Sequence, residues 1–208
     1  MSSQPQNNIA QLLQSLMGAN NDPSPSSDGD IFIIKNHIYF YAYVSPQSIL
    51  RLNVEMRKMM IENQQDAIAD ETNVRPIHIH INSPGGSAHA GFLGYDYIRN
   101  VGSQVPVYTH VEGIAASAAT ILSVAGNRRY ITPSSYMLIH EPRTWMGGAA
   151  SKITEEYENL QKVAKTIEDI YVRHCGFKIE DLKEFLKHDW ILTADECIKY
   201  NLVDEIGM

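Results

Sequence analysis

The stretch IHIHINSPGGSAHA, residues 77–90, decides how the chain folds. Isoleucines at 77, 79 and 81 alternate with His78, His80 and Asn82, the period-two pattern of a strand with one buried face. Pro84 then fixes φ, and the pair Gly85-Gly86 opens backbone paths closed to other residues. A helix through FLGYDYIRNV, residues 92–101, completes a unit of strand, glycine-containing turn and helix. The unit recurs as VPVYTHV from Val105, a turn at Gly113, and the small-residue helix AASAATILSVA ending at Ala125. A turn that opens a helix sets backbone N–H groups and the positive end of the helix dipole at the strand's carboxyl end. Two such turns side by side make a site for developing negative charge.

Outward from these units the elements keep alternating. IFIIK (31–35) and HIYFYAY (37–43) read as strands about a turn at Asn36. Ser45-Pro46 opens a helix through ILRLNVEMRKMMIENQQDAI (49–68), with proline where its missing N–H costs least. RRYI (128–131) and YMLIH (136–140) are short strands. A long helix spans about Ser151 to His174, and a shorter one covers IEDLKEFL (179–186). Thr193 and Glu196 form a capping box that starts the last helix. This order predicts a layered α/β domain over residues 30–208. Residues 1–29 read apart from it. Ile9, Leu12, Leu13 and Leu16 give one short amphipathic helix, and NNDPSPSSDGD (20–30) gives a linker, so a flexible tail or pro-segment is expected.

Composition narrows the function. Against 17 Lys and Arg stand 24 Asp and Glu, a formal net charge of -7, which leaves no basic footprint for nucleic acid. Cys175 and Cys197 belong to no CxxC pair, so neither a disulfide framework nor a cysteine zinc site is expected, and a reducing compartment fits. No apolar run reaches the length of a membrane span, and the amino-terminal stretch lacks the basic start of a secretory signal. The expected location is cytoplasmic, with no membrane partner.

Four groups of residues carry the chemistry. Ser117 lies in GIAASAAT (113–120), between strand and helix, among neighbours small enough for a substrate backbone to approach. A serine needs an adjacent base to become a nucleophile. His140 ends the strand YMLIH, where a near-neutral imidazole can reach into a cleft. The SPGG loop can aim the Gly86 N–H at a carbonyl oxygen beside the Ala118 N–H, an oxyanion hole. Each also has a plain structural reading: a close-packed helix for AASAA, a tight turn for SPGG. The acid stays open among Asp189, Asp195, Glu196 and Asp204. Glu196 caps a helix and Asp195 shares its first turn, while Asp189 sits between a helix end and the apolar pair Trp190-Ile191. His78 and His80 share one strand face and present two metal ligands at most. With no acidic or cysteine ligand near them in sequence, packing is the better reading, and no metal is expected.

Together the segments resemble the Clp protease proteolytic subunit, ClpP, in order from about Asn36 to the carboxyl terminus. HIYFYAYVSP is similar to the family's opening strand and first helix. IHIHINSPGG is similar to its oxyanion loop, GIAASAAT to its serine turn, and YMLIHEP to its histidine segment. HDWILTADECIKYNLVDEI resembles the acid segment and sets Asp189 in the acid's position. The resemblance thus implies a Ser117–His140–Asp189 triad with Gly86 and Ala118 N–H donors. Departures are Ile114 for the usual glutamine, Ala118-Ala119 for Met-Gly, and Asn201 for glycine. Glu141 also replaces glutamine, a charge expected to raise the pKa of His140. The first 35 residues do not match the family's axial loop.

The resemblance further implies a ClpP/crotonase-like fold of repeated strand-turn-helix units with a protruding long handle helix. It implies self-association into a double heptamer that encloses a chamber for polypeptide substrate. An ATP-dependent AAA+ unfoldase is the implied partner; ATP belongs to it, and no cofactor is expected in this chain. Residues 146–148 and the helix after them correspond to the strand and handle joining the rings, with Ile153, Tyr157, Leu160, Val163, Ile167 and Ile170 as its apolar positions. Alternatives are an acyl-CoA hydratase or isomerase of the related crotonase fold, a catalytically idle ring subunit, and a phage head-maturation peptidase.

Overall fold

The computed structural model describes residues 30–70, 73–144 and 147–207. The expected amino-terminal tail lies outside the described residues. In chain order the elements are β1 (Asp30–Ile34), β2 (His37–Tyr41), α1 (Pro46–Ala69), β3 (Ile77–Ser83), α2 (Ala88–Gly102), β4 (Val107–Ala116) and α3 (Ala118–Ser123). There follow β5 (Arg128–Ile131), β6 (Tyr136–Ile139), α4 (Ala150–Cys175), α5 (Ile179–Leu186), β7 (Trp190–Leu192), α6 (Ala194–Lys199) and β8 (Glu205–Ile206). The strands form one mixed sheet in the order β1-β2-β3-β4-β5-β8, with β6 branching from β4 and β7 from β6. Pairs β1/β2 and β6/β7 are antiparallel; the remaining pairs are parallel. Parallel neighbours need long crossovers, and α1, α2 and α3 supply them between β2, β3, β4 and β5.

The branch at β4 positions the site. Tyr108–Val111 pair with β5, and Ile114–Ala116 pair with β6. Gly113, expected to end the strand, lies inside it with φ +84°. There a Cβ would stand 3.0 Å from Asn82 Oδ1, so glycine lets β4 bend tightly past β3 without leaving the ladder. Its N–H donates to Ser135 Oγ at 2.6 Å, which fixes the bend. The strand therefore continues to Ala116 and delivers Ser117 at its end.

The isoleucine alternation of β3 is realised. Ile77, Ile79 and Ile81 are buried with Ile38, Phe40, Val107 and Val111 beneath Leu52 of α1, Ile98 of α2 and Leu122 of α3. Each such side chain contributes roughly 1.5–3 kcal/mol by leaving water. The opposite face carries rings. Tyr39, His80, His110 and Tyr130 stack face to face across β2–β5 with centroids 4.4, 4.7 and 4.8 Å apart. His37 Nδ1 bonds His80 Nε2 at 2.8 Å, and His78 Nδ1 bonds His110 Nε2 at 2.9 Å. His80 Nδ1–H donates to Glu112 at 2.6 Å. The sequence neighbourhood of His80 held no acid; the sheet brings one from β4, 32 residues away.

From residue 147 to 166 no side chain is buried, whereas Ile167, Ile170, Tyr171 and Cys175 of α4 enter the core. Of the apolar positions expected on this helix, Ile153 and Tyr157 are exposed. The strand expected at 146–148 is not formed in its described part. Gly147 and Gly148 are irregular, because a strand needs a ladder partner and none of the described strands pairs there. Met146 lies outside the described residues. At the carboxyl end Asn201 takes φ +54°, and its N–H and that of Leu202 bond Ile198 and Cys197 carbonyls. Asparagine thus closes α6 in the left-handed turn where the family's glycine would stand.

Candidate active site

Ser117 bridges β4 and α3 with φ 54° and ψ -125°, a conformation rare for a residue with a Cβ. Two bonds hold it there. Its N–H donates to Leu138 O on β6 at 2.8 Å, and its carbonyl accepts the Thr120 N–H at 3.0 Å. The Thr120 hydroxyl bonds both the Ser117 carbonyl and Tyr171 on α4, so the turn is tied to the long helix. The Ser117 hydroxyl makes no cap to its own helix. Such a sharp turn presents a side chain outward rather than along the strand.

The glycine loop is laid directly on this turn. A Cβ at Gly85 would fall 2.4 Å from Ala116 O and 2.8 Å from Ser117 Cβ, and its φ is +93°. Only glycine fits both requirements. On the other side, Val44 N–H donates to Gly85 O and Ser87 N–H donates to Val44 O, each at 2.8 Å. In that parallel bridge the Gly86 N–H points away from Val44. Ala118 is the first residue of α3, so its N–H has no intrahelical acceptor.

His140 and Asp189 meet through strand register. Ile139 faces Trp190 and Leu138 faces Ile191 across β6 and β7. One step further along the same antiparallel pairing sets His140 opposite Asp189. The three-residue β7 was not legible as a strand, yet it is what brings Asp189 beside His140. Asp204 is engaged by the Arg129 guanidinium, Glu196 closes the expected capping box with Thr193, and Asp195 is exposed. The Glu141 N–H, bonded to Leu186 O at 2.9 Å, pins the histidine segment to the end of α5.

The polar contacts of the pair are less simple than the register. His140 Nδ1 stands 4.0 Å from Asp189 Oδ1 and donates instead to the Glu141 carbonyl at 2.7 Å. A carbonyl only accepts, so Nδ1 carries the proton and Nε2 is left as the basic nitrogen. Arg143 Nη2 bonds both carboxylate oxygens of Asp189. Burial and the Arg143 charge lower the pKa of His140; the Glu141 carbonyl, Asp189 and the Glu141 charge oppose them without prevailing. The expected rise from Glu141 is thus present but outweighed.

Ser117 and His140 line one cleft of about 380 Å³ together with Gly86, Ala118, Arg143 and Tyr171. Residues 38–208 match the family model described as Clp protease. The chain belongs to the Clp protease family. Clp proteases are peptidases, and the match runs from β2 to the carboxyl terminus, through both glycine turns, the histidine strand and the acid segment. Two residues in the cleft of this Clp protease were missed in sequence. Tyr171 and Arg143 carry no motif, and only the packing of α4 and of the His140 loop brings them in. Among the described residues no cluster of three His, Cys, Asp or Glu has metal-holding geometry, and no helix is long and apolar enough to cross a membrane.

Proposed function

We propose that this Clp protease is a serine endopeptidase with Ser117 as nucleophile, His140 as general base and Asp189 as the acid that orients it. One observation carries the reading: the serine turn, the glycine loop and His140 share one cleft, with Asp189 4.0 Å from His140 just beyond the β6–β7 ladder. His140 Nε2 takes the Ser117 proton as Oγ attacks the peptide carbonyl, and Gly86 and Ala118 N–H groups receive the oxyanion. The imidazolium then protonates the leaving amine, and water, deprotonated by His140, cleaves the acyl-enzyme. The peptidase unit spans residues 30–208, with residues 1–29 as a tail or pro-segment. Subunits assemble into stacked rings around a chamber fed with unfolded chain by an ATP-dependent unfoldase; exposed Ile153 and Tyr157 on α4 support an assembly surface.

The test is a fluorophosphonate probe and a small fluorogenic peptide on purified full-length protein, read with its native mass. Wild type should label and cleave, and Ser117→Ala should lose both while keeping its mass. Retained cleavage by Ser117→Ala sinks the nucleophile assignment. A catalytically idle ring subunit is the second reading, favoured by Asp189 being engaged by Arg143 rather than His140. Assembled wild type that neither labels nor cleaves would establish it.

A further inference from the structure

Arg143 sits three residues beyond His140, on the loop that leaves β6, and lines the same cleft as Ser117. Its guanidinium engages both oxygens of Asp189 through the single nitrogen Nη2, a charge-assisted contact. At 4.0 Å the Asp189 carboxylate is beyond hydrogen-bond reach of His140 Nδ1. The proton on that nitrogen is spent on the Glu141 carbonyl of the same loop. One short segment, His140–Arg143, therefore supplies both contacts that keep base and acid apart. We propose that Arg143 is a positioning residue that holds Asp189 off His140 in the single subunit, so that the relay closes only when the guanidinium is drawn away. The inference rests on the serine peptidase reading.

The electrostatic consequence is specific. When His140 accepts the Ser117 proton, the resulting imidazolium lies beside a guanidinium whose charge already occupies the carboxylate meant to balance it. Release of Arg143 removes the like charge and frees Asp189 to turn toward Nδ1. The charged groups facing His140 are Arg143 and Glu141 from its own loop and Asp189 before β7; His89 of α2 and Tyr171 of α4 also line the cleft. Arg143 opposes protonation of His140 and Asp189 favours it, so the two changes act in the same direction on the pH profile. Arg143 is itself 54% exposed, so replacing it leaves no hole in the core.

The experiment compares wild type, Arg143→Gln and Arg143→Lys as full chains, with hydrolysis of a small peptide followed against pH and fluorophosphonate labelling followed in parallel. Arg143→Gln should raise kcat by about threefold or more and move the acid limb of the profile to higher pH. Arg143→Lys, which keeps the charge, should hold the limb near the wild-type position. An unmoved limb with kcat unchanged or lower in Arg143→Gln overturns the proposal while labelling and cleavage leave the serine peptidase reading intact. If no form labels or cleaves, that reading fails and the role of Arg143 with it. Equal melting temperatures across the three forms show that the comparison reads the site and not the fold.

Discussion

Lowering the pH from 7 to 4 should destabilise this protein through the paired imidazoles on the open face of its sheet. The His78–His110 bond at 2.9 Å requires one ring nitrogen to accept, so at least one ring must be neutral. Burial and neighbouring imidazoles bring both groups from the usual 6.5 down to about 4. Each folded pKa lies below its unfolded value, so the unfolded chain binds protons first. The stabilisation is therefore complete above about pH 6.5 and is lost as pH falls through 4. A gap of about 2.5 pH units corresponds to ~3.4 kcal/mol per group. The face is partly open to water, and screening roughly halves that figure, leaving ~3 kcal/mol for the pair. At 2–4 °C per kcal/mol for a chain of this size, the melting temperature should fall by roughly 6–12 °C. The assay is a thermal melt at fixed ionic strength from pH 7 to 4, on wild type and a His78→Phe/His110→Phe variant. His174, also brought to about 4 by burial and nearby arginines, contributes equally to both forms and cancels in the difference. The variant should show the shallower decline whatever its stability at pH 7. Parallel curves for the two proteins would refute the assignment of the slope to this pair.

Two further outcomes follow from the packing. Gly85→Ala should lower stability by about 2–4 kcal/mol in urea unfolding and abolish Ser117 labelling, because the new methyl meets Ala116 O and Ser117 Cβ at a positive φ. A labelled, wild-type-stable Gly85→Ala would show that the loop does not sit on the serine turn. Asp204→Ala should cost about 3 kcal/mol, since Arg129 is only 7% exposed and also donates to the His174 and Asn201 carbonyls. Loss below about 1 kcal/mol in the same assay would mean that solvent reaches the guanidinium.

Much of the frame could be read from local pattern. Ile77, Ile79 and Ile81 announce a strand because period two repeats within six residues, and Ser45-Pro46 and Thr193–Glu196 announce helix starts because capping is a contact between near neighbours. Gly113 was readable as a turn but not as a bend within a strand, since the ladder that carries β4 onward belongs to β6. Trp190–Leu192 is too short to show a period of its own. Taken residue by residue the acid stayed open among Asp189, Asp195, Glu196 and Asp204; the resemblance singled out Asp189, and the ladder is what brings it beside His140. The Glu112–His80 contact was hidden for the same reason, its members lying on different strands.

The chain alone determined its alternating elements, its two glycine-bearing turns, and a serine and a histidine at strand ends. These depend on dihedral preferences and on burial periodicity, both written within a few consecutive residues. Tertiary structure alone brought Asp189 to within 4.0 Å of His140, laid Arg143 on its carboxylate, and set His37 and His110 on the face that His78 and His80 share. Those facts depend on register between segments tens of residues apart, and a register exists only once the sheet has closed.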